Sequence, residues 1–210
     1  MLFRSQLDPA GTWAEVSAEY AAVVPVAPVR ARRIYSNAGY ALAASALERA
    51  AGMPWDAYAE AAVLAPLGMR RTAFGLGGDA VDVPSVREPG LLGHGEQLFN
   101  GTRFRALGLP QSGAFGSASD YLRFLIAASG AEGDVLDPAT RRELLSNQCG
   151  SLAGGVGGFM EWPTCDWAIG FELRDAKAPH WTGDALSHGS ATHFGASGTL
   201  ARSEEHTSEL

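Results

Sequence analysis

Apolar residues recur at Tyr40, Ala43, Leu47 and Ala50 or Ala51, the three-and-four spacing of a helix that buries one face. Ser36 or Asn37 stands where such a helix is capped, and Gly52 stands where it stops. Pro54 fits the first turn of a second helix, which the pattern carries through Trp55, Tyr58, Ala62 and Val63 to Pro66. The two read as a helix hairpin. Upstream, residues 8–33 begin as a short helical or irregular stretch around Trp13 and Tyr20. They turn extended at Pro25-Val26-Ala27-Pro28, because each proline fixes its own φ and biases its predecessor away from helix. Downstream, residues 75–102 are rich in Gly, Pro and Asp and read as loop. Ser117 and Asp120 have capping-box spacing ahead of a stripe formed by Tyr121, Leu122, Leu125 and Ile126, which predicts a helix over 118–129. Asp137-Pro138 starts another through Leu144 and Leu145. After a glycine-rich turn at 154–158 the pattern becomes that of strands, over 167–173 and 191–200, with turns around Pro179 and Gly183. Helices come first and strands last.

Composition narrows the class. The 46% hydrophobic and 19% charged fractions are those of a globular chain. A formal charge of −7 argues against nucleic acid, whose recognition begins with a basic footprint. No apolar run reaches the roughly 18 to 20 residues that span a bilayer. Cys149 and Cys165 match no Cys-x-x-Cys pattern, so they read as two partly buried thiols, with a disulfide open if the protein is exported. His180, His188 and His193 match no zinc spacing, Gly154-Gly155-Val156-Gly157-Gly158 lacks the setting of a phosphate loop, and no Gly-x-Ser-x-Gly elbow is present. Neither a cofactor nor a metal is called for. Trp162, Trp167 and Trp181 suit either a pocket floor or a core.

Two motifs remain. Tyr35-Ser36-Asn37 opens the first helix of the hairpin, and His193-Phe194-Gly195-Ala196-Ser197-Gly198-Thr199 lies near the far end. Alone, Tyr-Ser-Asn suits a packed tyrosine and a helix cap. In this order, with Pro66-Leu67-Gly68-Met69 between them, the motifs resemble the second and third signatures of the serine β-lactamase and penicillin-binding protein superfamily, in its class C-like branch. The resemblance implies an α+β, β-lactamase/transpeptidase-like fold: a helical lobe plus part of an antiparallel sheet flanked by helices. It implies catalytic roles for Tyr35, Asn37 and His193, and substrate contacts from Phe194, Gly195 and Ser197. A tyrosine can relay the proton of an attacking serine, and an asparagine amide can hold a substrate carbonyl. The family's nucleophile motif, Ser-x-x-Lys, is not in the chain. Its one lysine is Lys177, and Arg174 stands three residues before it. Tyr35 needs about three pH units of lowering, roughly 4 kcal/mol, to act as a base at neutral pH. Without that lysine it is expected to be an ordinary protonated phenol.

His193 stands where the family has a lysine or a histidine variant, and Phe194 removes a hydroxyl that would help hold a carboxylate. Both weaken charge-assisted binding of carboxylated substrates, which favours small ester or amide substrates over efficient β-lactam cleavage. The alternative for His193 is a structural strand histidine. Alternatives for the whole are a non-catalytic ligand-binding relative of the same fold, and a cell-wall D-alanyl peptidase. Residues 202–210, Arg-Ser-Glu-Glu-His-Thr-Ser-Glu-Leu, and Leu2-Phe3-Arg4-Ser5 read as translated sequencing adapter. The expected natural stretch is then residues 6–201, a partial domain with 1–5 and 202–210 set aside, carrying 14 basic and 20 acidic residues and a charge of −6. Sheet edges left unpaired by such a truncation make poor solubility an expectation. Compartment and oligomeric state are not readable.

Overall fold

A computed structural model describes residues 11–77, 83–85, 97–130, 135–156, 160–195 and 198–204, with backbone alone at 97 and 98. The chain forms two compact units: Met1–Val24 with Ser36–Arg123, and Pro25–Tyr35 with Phe124–Leu210.

The first unit is mainly helical. Helix α1 spans Trp13–Ala21 and is closed by a capping box between Thr12 and Glu15. Helix α2 spans Asn37–Ala51. Its cap is Ser36, whose Oγ accepts from the Gly39 amide, and Gly52 ends it at φ 68°, the left-handed conformation a glycine adopts without a Cβ clash. Helix α3, Trp55–Ala59, runs into one π-helical turn at Glu60–Leu64, and Pro54 is its cap residue. Strands β2 (Ala73–Phe74) and β3 (Ala114–Phe115) pair antiparallel. Between them lie α4 (Gln97–Asn100) and α5 (Thr102–Ala106). These replace the end of the expected loop, most of whose remainder lies outside the described residues. Val16, Tyr20, Ala41, Phe104 and Leu109 form the core, with Trp13 and Phe99 packed on it. The unit boundary falls within α6, Ala118–Ser129. The capping box expected there is half made. The Asp120 amide donates to Ser117 Oγ, but the Asp120 carboxylate accepts from the Arg71 amide and Thr72 Oγ1 and ties down the turn after Met69.

The second unit holds two three-stranded sheets and α7, Pro138–Leu144, capped by Asp137. One sheet has the order β1 (Arg33–Ile34), β4 (Gly154–Val156), β5 (Met160–Trp162). The β1–β4 pair is parallel, with Arg33 opposite Gly154, whereas every other named strand pair is antiparallel. The expected glycine-rich turn is therefore corrected at Gly154 and Gly155, which are strand residues. A Cβ on Gly154 would lie 2.2 Å from the Arg33 carbonyl oxygen and one on Gly155 1.9 Å from that of Met160. Close backbone approach explains the glycines here, not a turn.

The other sheet has the order β6 (Glu172–Leu173), β7 (Ala191–Phe194), β8 (Leu200–Ser203). Both predicted strands are broken by glycines. Gly170, at φ 84°, turns the chain so that the Ala168 amide donates to the Phe171 carbonyl, and only Glu172–Leu173 continues as strand. Gly198, at φ 85°, turns 191–200 into a hairpin whose last pair is Phe194 with Leu200. Strand β8 reaches Ser203, two residues past Ala201. Cores form around Val156, Trp162, Cys165 and Trp167, and around Ala168, Phe171 and Ala191.

Candidate functional site

Strand β1 is short, but its alternation places side chains. Arg32 reaches one way, to Glu161 at 2.5 Å. Arg33 reaches the other way, its Nη1 donating to the Gly155 carbonyl at 2.8 Å and its guanidinium carbon lying 3.2 Å from the centre of the Trp167 ring. Tyr35, two residues on, meets the same tryptophan edge to face at 6.1 Å, and Arg33 lies 5.5 Å from the Tyr35 ring. From β7, His193 comes within 6.2 Å of Tyr35 and 6.4 Å of Trp167, centre to centre. Two of the three expected catalytic residues are thereby brought together inside one unit.

The rest divide as follows. Asn37 is the exposed first residue of α2, in the first unit. Because Ser36 makes the cap, the Asn37 amide is not spent on it. Phe194 turns to Trp181, 5.0 Å away, and with Gly195, Gly198, Thr199 and Leu200 these line an open groove of about 320 Å³. Ser197 lies outside the described residues. The Gly195 amide donates to the Thr199 carbonyl, closing the hairpin turn.

His193 is half-buried, and its pKa lies below the ordinary histidine value. Burial is the main cause and the Arg33 charge adds to it, against the raising effects of the Phe194 backbone and Glu172. The imidazole is therefore neutral at pH 7, and Arg33 carries the fixed positive charge of the cluster.

Beside Trp167 lies a polar cluster that motif reasoning missed. Lys177 and Glu172 have side-chain exposures of 0% and meet at 3.0 Å. Lys177 Nζ also donates to the carbonyls of Asp166 and Leu173, and lies 4.8 Å from the Trp162 ring. Trp181 Nε1 donates to the second Glu172 oxygen at 2.7 Å, and His180 Nε2 approaches the first at 3.4 Å. The available signal was Glu172 and Lys177 set among apolar residues, where a charge must find a partner. The three histidines go to separate neighbours: His180 to Glu172, His188 to Asp175, and His193 to Tyr35. Cys149 and Cys165 are free thiols, both pushed up in pKa mainly by burial.

Comparison with known proteins bears on the family and the fold. The Beta-lactamase family model matches residues 3–204. The fold is similar to that of a β-lactamase from Mycobacterium bovis, at 26% identity and TM-score 0.60, covering 81% of this chain and 51% of that one. It is similar to EstA from Arthrobacter nitroguajacolicus, at 20% identity and TM-score 0.63, covering 91% and 56%. It is also similar to a penicillin-binding protein homologue from Caulobacter crescentus, at 17% identity and TM-score 0.62, covering 88% and 53%. The chain thus spans about half the length of each of these structures. No curated protein matches it. With helices and mainly antiparallel sheets in the β-lactamase/transpeptidase-like arrangement, and a family match over nearly its whole length, the chain belongs to the β-lactamase family.

Proposed function

We propose that this chain carries the tyrosine and strand side of an acyl-transfer cleft in a serine hydrolase acting on small ester or amide substrates. The observation that carries the reading is the meeting of Tyr35 and His193, 158 positions apart in sequence, at 6.2 Å. In the intact enzyme a serine oxygen attacks the substrate carbonyl while its proton passes toward Tyr35. The proton then goes to the leaving alcohol or amine, and water releases the acyl group in a second step. Asn37 holds the carbonyl, and the His193-Phe194-Gly195 strand with Ser197 shapes the binding edge. A neutral His193 gives no charge-assisted contact to a carboxylate, which favours uncharged ester or amide substrates over carboxylated β-lactams.

The attacking serine of a Ser-x-x-Lys motif is not among residues 1–210. A fluorophosphonate or a fluorescent penicillin is therefore expected to leave this chain unlabelled. The native DNA upstream of Asp8 is expected to encode Ser-x-x-Lys in frame, and the complete product to be labelled and to cleave 4-nitrophenyl esters. Covalent labelling of residues 1–210 themselves would overturn the reading. A complete frame lacking Ser-x-x-Lys would replace it with ligand binding in the same cleft.

A further inference from the structure

We propose that Arg33 is the positioning residue of this site, supplying the positive charge beside Tyr35 and fixing the tyrosine ring through Trp167. The assignment rests on the acyl-transfer reading for its catalytic meaning, but not for its test. The guanidinium is held from two directions. Its Nη1 donates to the Gly155 carbonyl, and its plane packs on Trp167 with the carbon 3.2 Å from the ring centre. A cation stacked on an indole face is attracted to its π-system, and the planar guanidinium does this while keeping its donors for hydrogen bonds. Tyr35 packs on the same indole at 6.1 Å, so Arg33, Trp167 and Tyr35 form one assembly. The register of β1 makes this possible: residues 33 and 35 of an extended chain share a face.

The consequence concerns proton transfer. A positive charge near an acid favours its ionised form, and the Arg33 guanidinium carbon lies 5.5 Å from the centre of the Tyr35 ring. Arginine keeps its charge across the working pH range, whereas His193, half-buried, is neutral at pH 7. The cation that Tyr35 lacks on the motif reading is thus provided from two residues upstream. Other titratable groups in or around this cluster are His193 on β7, Cys149 and Cys165 in the adjoining core, Asp166 next to Trp167, and Lys177 with Glu172. All are retained when Arg33 alone is changed.

The test needs no catalysis. Residues 1–210 are labelled with ¹³C at tyrosine Cζ and titrated by NMR; the chain has five tyrosines, and Tyr35→Phe identifies the signal. In Arg33→Gln the Tyr35 midpoint is expected to rise by about one pH unit, with the other four unchanged. The His193 midpoint rises as well. Loosened packing moves the tyrosine the other way, because exposure to water favours the phenolate, so the sign separates charge from structure. If Arg33→Gln does not fold, Arg33→Lys is compared with the parent: it keeps the charge without the planar stack, and a smaller rise is expected. A Tyr35 midpoint that is unchanged or lower in the folded variant overturns the assignment. Neither result bears on whether the complete enzyme has a serine nucleophile.

Discussion

Glu172 shows how one residue holds the second unit's interior together. Its side chain is wholly removed from water, which alone would favour the neutral acid. Burial is the largest single influence on its pKa and raises it. Contact with His180, the Lys177 charge and the Trp181 donor together outweigh burial, and the net pKa lies below the ordinary carboxylate value. A carboxylate with a depressed folded pKa contributes stability that is fully present above its unfolded value. That stability is lost as pH falls through the folded value. Lys177→Met removes the counter-charge, so Glu172 becomes a buried carboxylate that keeps the Trp181 donor and the His180 contact but no ammonium partner. The loss at pH 7 is expected to be about 3–5 kcal/mol, as for breaking a buried pair. It is measured as the difference in urea unfolding free energy. Protonation relieves the stranded charge in the variant while it costs the parent its ion pair, so the difference narrows between pH 7 and pH 4. A difference that stays constant across that range would show that Glu172 is not the group responsible.

At the scale of elements, the sheet β1–β4–β5 is the scaffold that aims Arg33 and Tyr35, and its register depends on two glycines. Gly155→Ala places a methyl 1.9 Å from the Met160 carbonyl oxygen, a backbone atom that cannot swing aside. Strands β4 and β5 must separate, and the Gly155 carbonyl that anchors Arg33 moves with them. The expected cost is about 1–3 kcal/mol or more, as for overpacking, read from thermal or urea unfolding. Gly77→Ala, where no atom of the described residues lies within 4 Å of the added methyl, is the control and is expected to be near neutral. An equal effect from both would refute the close-approach argument. These elements also show what could be read from the chain alone. The α2–α3 hairpin was legible because its punctuation is local: Ser36, Gly52 and Pro54 act through their own backbone and near neighbours. Strands β1, β4 and β6 are two or three residues long and carry no usable period, and β1 finds its parallel partner about 120 residues away. Gly154-Gly155 therefore read as a turn. In the site, Tyr35 and His193 were legible through motifs. Arg33 and Trp167 were not, because their meeting depends on that strand register.

For the whole molecule, two surface properties oppose each other. The chain carries a formal charge of −7, which keeps copies apart. It also exposes a contiguous apolar run, with Val24, Val26 and Val29 at 78%, 85% and 91%. Pro25 and Pro28 in that run lack amide donors, so the segment is poorly suited to recruit a second copy by strand addition. Any association through it rests on side-chain burial, which is non-directional and strengthens relative to repulsion as salt screens the charge. At 0.15 M ionic strength charges are screened beyond about 8 Å, and at 1 M beyond about 3 Å. Reversible self-association is therefore expected to rise from low to high salt, without fibrils, and to be measured by light scattering coupled to size-exclusion chromatography. The triple substitution Val24→Ser, Val26→Ser, Val29→Ser leaves the charge unchanged and removes the apolar run. It is expected to remain monomeric at salt concentrations where the parent associates. If the parent associates more strongly at low salt, the driving force is electrostatic instead. If the triple variant associates as the parent does, the contact lies elsewhere on the surface.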